Sequence, residues 1–291
     1  INTSGDVQIC EHMPLMAKQM HNAAIIRSMS TREADHMRGR YYMHTGYVPN
    51  PNMTHPSYGS VISHQLQRPE VSIPKFISVG GGSMGAGFLG AKYSPFVVNS
   101  DGRIRNLDMK VDQRFYQRAY ALDAIESGFI NQRRGSAAKE HQAILKEAFN
   151  VLTSSQMDAL KVAGEPENVK ERYGNNGFGK GCLMARRLVE AGVPFIEVNL
   201  GGWDNHQNIH PMLRDTKLPM LDQGMSALFE DLEQRGLIDD TVVIWMGEFS
   251  RTPRINQNAG RDHWARSWSV VVGGGGMNGG ISIGETNSDG T

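Results

Sequence analysis

Two polar loops that each follow a short apolar run constrain the fold of this chain more than any other feature. The apolar runs, residues 194–200 and 241–246, have the length and composition of buried strands. A helical pattern over about residues 212–235 separates them. Because helix and strand alternate at this spacing, we predict right-handed parallel crossovers and an α/β fold with a mostly parallel central sheet and helices on both faces.

The two loops carry side chains of the types that bind divalent metals. In chain order these side chains are Asp204, His206, Glu248, Asp262 and His263. Open α/β sheets bind ligands outside the carboxyl ends of their strands, so we expect these groups to gather at one edge of the sheet. Asp, Glu and His together suit Zn, Mn, Mg or Ca, whereas a thiolate site needs clustered cysteines. The leading hypothesis is therefore a divalent metal site.

Composition argues against several other classes of protein. Lys+Arg and Asp+Glu both total 30, so no net charge favours binding to nucleic acid or to an anionic membrane surface. No apolar run approaches the roughly 18 residues of a membrane-spanning helix. Cys10 and Cys182 form no CxxC motif and are too few to indicate a disulfide scaffold. With 39% hydrophobic residues among 291, the chain can bury a sizeable core.

The rest of the chain predicts further elements of the same kind of domain. Apolar runs predict strands at 24–28 and 74–79, and helical periodicity predicts helices at 9–20, 32–46, 111–165 and 182–191. The turn-rich stretch 84–110 indicates an insertion or cap. We expect a single domain over residues 1–291. We also expect native sequence beyond both ends, because Ile1 is not an initiator Met and no closing helix follows the last strand.

Several motifs resemble those of an uncharacterised bacterial family, number 1501 among the domains of unknown function. They are ICEHMP at 9–14, YYMHTG at 41–46, GGWDNH at 201–206, LEQRGL at 232–237, DTVVIWMGEFSRTP at 240–253 and GRDHW at 260–264. The resemblance covers nearly the whole chain. That family is in turn similar, more distantly, to the alkaline phosphatase and sulfatase superfamily. The resemblance therefore implies an alkaline-phosphatase-like fold and an extracytoplasmic location, either periplasmic or secreted.

The superfamily resemblance also implies a set of metal ligands. Enzymes of the superfamily hold one or two divalent metals with Asp and His side chains at strand ends. By motif order the equivalents here are Asp204 with His206 or His210, then Glu248, then His263. Phe249 stands where the superfamily usually has a second His, so one metal is as compatible with the sequence as two. A further Asp ligand usually follows the first strand and would lie before Ile1.

The nucleophile remains open among three kinds of group. Residues 45–46, Thr-Gly, match the end of the helix that follows the sulfatase nucleophile, and His36 falls near the nucleophile's place. Ser30 and Thr31 lie at a predicted strand-to-helix turn and are the hydroxyl candidates. Metal-bound hydroxide is the third candidate. Either Arg251 or Arg261 would neutralise the non-bridging oxygens of an anionic substrate, because guanidinium binds such oxygens in bidentate fashion.

Together these residues predict a metal-dependent hydrolase of phosphate or sulfate esters. The expected partner is a small anionic ester, and esters linked to a carbohydrate belong to this class. One alternative is a non-catalytic extracytoplasmic binding protein that retains the fold, which Phe249 and the open nucleophile favour. The other is a phosphomutase or phosphotransferase, which returns the group to an acceptor. Sequence leaves the oligomeric state open.

The same residues also have purely structural interpretations. Asp204 could cap the turn that follows it, and His206 or His210 could hydrogen-bond to a backbone carbonyl. Asp262 is either a metal ligand or a group that orients His263. Because these residues occur together at two strand ends, we favour a metal or polar catalytic site over purely structural roles.

Overall fold

The computed structural model describes residues 1–102, 112–131 and 136–290. In chain order the α-helices are α1 (Pro14–Ala17), α2 (His36–Thr45), α3 (Tyr58–Gln65), α4 (Gln113–Asn131), α5 (Ser136–Thr153), α6 (Glu167–Tyr173), α7 (Gly177–Glu190), α8 (Ile209–Met212) and α9 (Leu218–Gln234). The strands are β1 (Ala23–Met29), β2 (Phe76–Val79), β3 (Phe96–Val98), β4 (Phe195–Val198), β5 (Val242–Trp245), β6 (Ser250–Arg251), β7 (His263–Trp264), β8 (Trp268–Gly274) and β9 (Ser282–Ile283). The chain therefore combines helices and sheets, as the predicted α/β class requires, but its four-stranded sheet, β5-β8-β1-β9, is mixed and not mostly parallel.

The chain divides into two compact units. Unit 1 consists of Ile1–Pro51, Glu165–Arg186 and Leu200–Thr291, and unit 2 consists of Asn52–Gly164 and Arg187–Asn199. Residues 103–110, which belong to the expected insertion, lie outside the described residues. The single domain over 1–291 stays a prediction.

Unit 1 contains a four-stranded mixed sheet in the order β5-β8-β1-β9. Strand β8 pairs antiparallel with both β5 and β1, while β9 pairs parallel with β1. The strand predicted at 241–246 is therefore present, but the predicted parallel crossover from β4 to β5 is wrong. Those two strands belong to different sheets, because β8 supplies a non-local partner for β5 that local periodicity does not reveal.

Helix α9 forms much of the apolar interior of unit 1. Its residues Phe229 and Leu232 are fully buried, and the helix packs against α1 and α6. Burying a side chain of this size contributes about 1.5–3 kcal/mol. Asp222, also on α9, accepts hydrogen bonds from the backbone N–H groups of Leu15 (3.0 Å) and Met16 (2.6 Å) at the start of α1. The helix predicted at 9–20 is therefore only one turn long. The Asp222 side chain of α9 accepts hydrogen bonds from the amide groups at its start.

A buried ion-pair cluster also lies in unit 1. Asp231 of α9 contacts the guanidinium groups of Arg172 and Arg186, the latter with Nε at 3.4 Å, and accepts a hydrogen bond from Tyr173 Oη at 3.0 Å. Arg186 also pairs with Glu165 at 2.8 Å. The side chains of Asp231 and Arg186 are each only 2% exposed. The two arginines balance the buried carboxylates, so the cluster can exist away from water.

Unit 2 contains a three-stranded sheet, β3-β2-β4, in which both pairings are parallel. Strands β2 and β4 align Phe76 with Phe195, whose rings pack edge to face at 5.0 Å. The strands predicted at 74–79 and 194–200 are therefore confirmed, and the structure shows that they are parallel neighbours. The stretch predicted as an insertion contributes β3 to this sheet.

Helices α4 and α5 of unit 2 pair with each other, in line with the amphipathic helices predicted over 111–165. Near the start of α4, the ring of Phe115 stacks on Phe149 of α5 with centroids 5.8 Å apart. Neither these two nor any other helix in the described part of the chain combines the length and the apolarity needed to cross a membrane.

Candidate functional site

Helix α2 fixes the position of His36 in unit 1. Asp35 caps the helix by accepting a hydrogen bond from Arg38 N at 3.0 Å, so the helix begins at His36 and not at residue 32. Gly46 ends it in the left-handed conformation, as predicted. Gly39 faces the chain that follows β5, where an added Cβ would lie 3.2 Å from Phe249. The absence of a side chain at Gly39 therefore allows α2 to pack closely against this segment.

A two-stranded ribbon of β6 and β7 carries two more site residues. The strands pair antiparallel, with Arg251 directly opposite His263. Because directly opposed residues share one face of a ribbon, these two side chains lie next to each other. Thr252 N donates to Asp262 O at 2.9 Å, which extends the pairing by one residue.

The loop after β4 holds Asp204 and His206. Lys217, in a π-helical turn (Leu213–Lys217) between α8 and α9, donates from Nζ to the carbonyl oxygen of Gly201 at 2.5 Å. The far end of the loop is held by Asn256, whose Nδ2 donates to His206 O at 3.1 Å. The loop is thus tied at both ends, which orients its two functional side chains.

Three imidazoles surround the carboxylate of Asp204. His36 Nε2 lies 3.2 Å from Oδ2, His206 Nε2 lies 2.8 Å from Oδ1, and His263 Nε2 lies 3.4 Å from Oδ1. One ligand atom from each of His36, Asp204 and His263 lies within 4.8 Å of the other two. Atoms this close together could coordinate a single metal ion.

The other nitrogen of each ring has a hydrogen-bond partner of its own. Glu248 Oε1 lies 2.5 Å from His36 Nδ1, and Asp262 Oδ1 lies 2.8 Å from His206 Nδ1. His263 Nδ1 lies 2.7 Å from the carbonyl oxygen of Ala34. If each Nδ1 carries the proton and donates it to these acceptors, each Nε2 keeps its lone pair toward Asp204. Metal-binding histidines show this arrangement, in which the second nitrogen is held by a carboxylate or a carbonyl.

The carboxylates of Asp204 and Asp262 are held in their charged form. Desolvation would raise the pKa of Asp204, but the Arg251 guanidinium, 2.6 Å from Oδ1, and His36 outweigh it and hold the pKa well below its usual value. The pKa of Asp262 is lowered chiefly by its hydrogen bond to His206, and further by Asn256. Both groups are therefore anionic near neutral pH and available to a cation.

One side of the cluster is apolar and the other is open. The ring of Phe249 packs against those of His36 and His263, with centroids 5.1 and 4.7 Å away. By contrast, the side chains of Asp204 and His206 are about half exposed. A small polar molecule can approach from the side of these two residues.

The structure brings together seven of the site residues singled out in the sequence. They are His36, Asp204, His206, Glu248, Arg251, Asp262 and His263. Thr31 is not among them: its hydroxyl accepts a hydrogen bond from Glu33 N at 3.2 Å, and the described residues show no hydrogen bond between it and the cluster. Arg261 donates instead to the carbonyl oxygen of Thr252 at 3.3 Å. Sequence reasoning missed the acceptor at Ala34, since any residue type supplies a carbonyl.

Fold and site together define a mixed α/β protein with a histidine- and carboxylate-rich site at loop and strand ends. The model of one protein family, described as "Protein of unknown function (DUF1501)", matches residues 1–291, the whole chain. The protein belongs to this family, as its motifs predicted. Searches of curated proteins and of solved structures found no match.

Proposed function

We propose that this protein is a metal-dependent hydrolase of phosphate or sulfate esters. The observation that carries the proposal is the convergence of three imidazole Nε2 atoms on the Asp204 carboxylate, with each Nδ1 held from behind. Metal-ligating histidines almost always donate their other ring N–H to a carboxylate or a carbonyl, and all three Nδ1 atoms here have such a partner. The family resemblance to the alkaline phosphatase and sulfatase superfamily points to the same chemistry.

In this proposal His36, Asp204 and His263, whose ligand atoms lie within 4.8 Å of one another, would hold the ion. His206, whose Nε2 lies 2.8 Å from Asp204 Oδ1, would be a fourth ligand. Glu248 and Asp262, which the sequence suggested as ligands, orient His36 and His206 in this proposal. Three imidazole nitrogens and one carboxylate suit Zn better than Mg or Ca, which prefer oxygen ligands. His36 is then a ligand and not the nucleophile.

The residues around the ligands would serve ester hydrolysis in distinct ways. The metal, when bound, supplies Lewis-acid chemistry and lowers the pKa of a bound water to about 7. Arg251, beside Asp204, binds the non-bridging oxygens of the ester. Phe249 excludes water from one side of His36 and His263. Thr31 makes no hydrogen bond to the cluster among the residues that the structure describes, and we propose water entering on the open side as the nucleophile.

The resemblance to the alkaline phosphatase and sulfatase superfamily also supports a fold and a location. The alkaline-phosphatase-like fold and the periplasmic or secreted location accompany the superfamily relationship. The substrate class, a small anionic ester that includes sugar phosphates and sulfates, agrees with a site that is open on one side and in which a bound divalent cation and Arg251 would both face the ester oxygens.

A non-catalytic binding protein is the second candidate, and one observation favours it. Both oxygens of Asp204 already have partners, namely His36 on Oδ2 and Arg251, His206 and His263 on Oδ1. A carboxylate so fully surrounded could serve a closed, structural site. Closed metal sites lack the open coordination position that catalysis requires.

Metal content and turnover test the proposal together. Wild type and the variants Asp204→Ala, His263→Ala and His21→Ala are loaded with Zn²⁺ or Mn²⁺, dialysed, and analysed by elemental mass spectrometry. His21 is the control, because it also pairs with a carboxylate, that of Glu233 at 3.2 Å, but lies outside the proposed ligand set. We expect metal in wild type and His21→Ala and little in the other two. Equal metal content in all four proteins would contradict the site assignment.

Assays on aryl phosphates and aryl sulfates, with and without a carbohydrate acceptor, then separate the candidate functions. Release of free phosphate or sulfate supports the hydrolase, and transfer to the sugar supports a phosphotransferase. Metal retention without either reaction favours the binding protein.

A further inference from the structure

The ion pair between Arg251 and Asp204 lies inside the proposed metal site. Arg251 NH1 lies 2.6 Å from Asp204 Oδ1, the oxygen that also faces His206 and His263. The Arg251 side chain is 15% exposed, so this contact is largely shielded from solvent. In the described part of the chain, no other charged partner of Arg251 lies within ion-pair distance. Its guanidinium therefore has donors left for another acceptor.

We propose that Arg251 couples cation binding to anion binding at this site. It pairs with Asp204 and competes with a divalent cation for that carboxylate. Once the cation shares the carboxylate, the guanidinium turns its donors to the oxygens of a phosphoryl or sulfuryl group. This inference rests on the proposed function and deepens it by giving the anion-binding Arg251 a second role, as the competitor of the cation for Asp204.

Competition follows from the charges within a few ångströms of Asp204. One carboxylate carries a single negative charge, which a guanidinium and a divalent cation would have to share. A cation held by His36, Asp204 and His263 would also lie next to Arg251, because Arg251 is the cross-strand partner of His263. Repulsion between the two cations weakens the Arg251–Asp204 pair, and an anion placed between them relieves that repulsion.

The same contacts distinguish Arg251 from Arg261, the other candidate in the sequence. Arg261 donates to the carbonyl oxygen of Thr252 and makes no ion pair with Asp204 in the described structure. Arg251, by contrast, lies on strand β6 with its guanidinium already at the ligand carboxylate. Guanidinium presents a planar fork that matches two oxygens of a phosphate or sulfate, which an ammonium group does not.

Calorimetric titrations test the coupling without any assay of activity. Mn²⁺ is titrated into wild type, Arg251→Met, Arg251→Lys and Arg261→Met, and inorganic phosphate or sulfate is then titrated into each Mn²⁺-loaded protein. We expect Arg251→Met to bind Mn²⁺ at least about fivefold more tightly than wild type, because the competitor is gone. We also expect it to bind phosphate roughly tenfold to a hundredfold more weakly, because a charged hydrogen-bond donor is lost.

The other two variants sharpen the test. Arg251→Lys keeps the charge but not the fork, so it should bind Mn²⁺ like wild type and phosphate more weakly. Arg261→Met should match wild type in both titrations. Circular dichroism verifies that each variant is folded, and Arg251→Lys maintains the test if the Met variant unfolds.

Two outcomes would overturn the inference while leaving the proposed function intact. The first is Mn²⁺ binding by wild type together with equal or weaker Mn²⁺ binding by Arg251→Met, which would show that Arg251 only positions Asp204. The second is loss of phosphate binding in Arg261→Met and not in Arg251→Met. A wild-type protein that binds no divalent cation would instead contradict the proposed function, and this inference with it.

Discussion

Removing the carboxylate of Asp231 should destabilise unit 1 strongly. Replacing Asp231 with Ala leaves the guanidinium groups of Arg172 and Arg186 without a shared carboxylate, and takes the hydrogen-bond acceptor from Tyr173. Arg186 keeps its contact with Glu165 at 2.8 Å, but its side chain is only 2% exposed, so water cannot replace the lost carboxylate without local opening of the structure. Breaking a buried ion pair on one side typically costs about 3–5 kcal/mol. Since whole proteins are stable by about 5–15 kcal/mol, the loss is a large fraction of the total.

The measurement is urea unfolding at neutral pH, followed by tryptophan fluorescence and by circular dichroism. The matched control is Asp215→Ala, because Asp215 makes two contacts with Arg214, at 2.6 and 2.9 Å, but both side chains are more than half exposed. An exposed pair contributes only about 0–1 kcal/mol, so the control should unfold nearly like wild type. Similar losses of unfolding free energy in the two variants would refute the reasoning, because burial would then not set the cost.

Three further predictions concern the hydrogen bond from Lys217 to the loop that carries Asp204, the two cysteine thiols and the carboxyl group of Asp222. Lys217→Met should weaken Mn²⁺ binding roughly tenfold, because it removes the hydrogen bond to the Gly201 carbonyl oxygen that holds the loop carrying Asp204. Lys217→Arg should keep this hydrogen bond and bind Mn²⁺ like wild type. Unchanged Mn²⁺ affinity in the Met variant would contradict this role of Lys217. Iodoacetamide should label the exposed Cys10 in the native protein, and should label Cys182 only in denaturant, because burial raises the pKa of that thiol. If mass spectrometry finds both cysteines labelled in the native protein, the burial of Cys182 is wrong. Burial raises the pKa of Asp222 above its ordinary 3.8, so the folded state takes up a proton more readily than the unfolded chain. Relative to Asp222→Asn, wild type should therefore lose unfolding free energy as pH rises from below 3.8 through the raised pKa, and a difference that does not vary with pH would contradict this shift.

Local sequence signals predicted most of the individual elements. The helix end at Gly46 and the strands β1, β2, β4 and β5 follow from turn chemistry and apolar runs, which act over a few residues. The sheet topology depends on long-range pairing instead. Strand β8 pairs with both β1 and β5, and no local pattern in its sequence specifies either partner or the antiparallel direction.

For the site as well, sequence predicted which residues take part but not how their side chains are arranged. Loops after strand ends predicted that Asp204, His206 and His263 would come together, because such loops meet at sheet edges. The roles of Glu248 and Asp262 depend on which ring nitrogen each carboxylate meets. That choice is set by side-chain orientation across distant segments, so sequence could not distinguish a ligand from a group that orients a ligand.

The central claim is that three imidazoles and one carboxylate form a metal site. X-ray absorption spectroscopy of the Zn²⁺-loaded protein tests it most directly, because it counts imidazole ligands around the ion. The account predicts three imidazole nitrogens at about 2.0–2.1 Å and one carboxylate oxygen, with one imidazole fewer in His36→Ala. A protein that retains no zinc, or a zinc shell made mainly of oxygen, would contradict it.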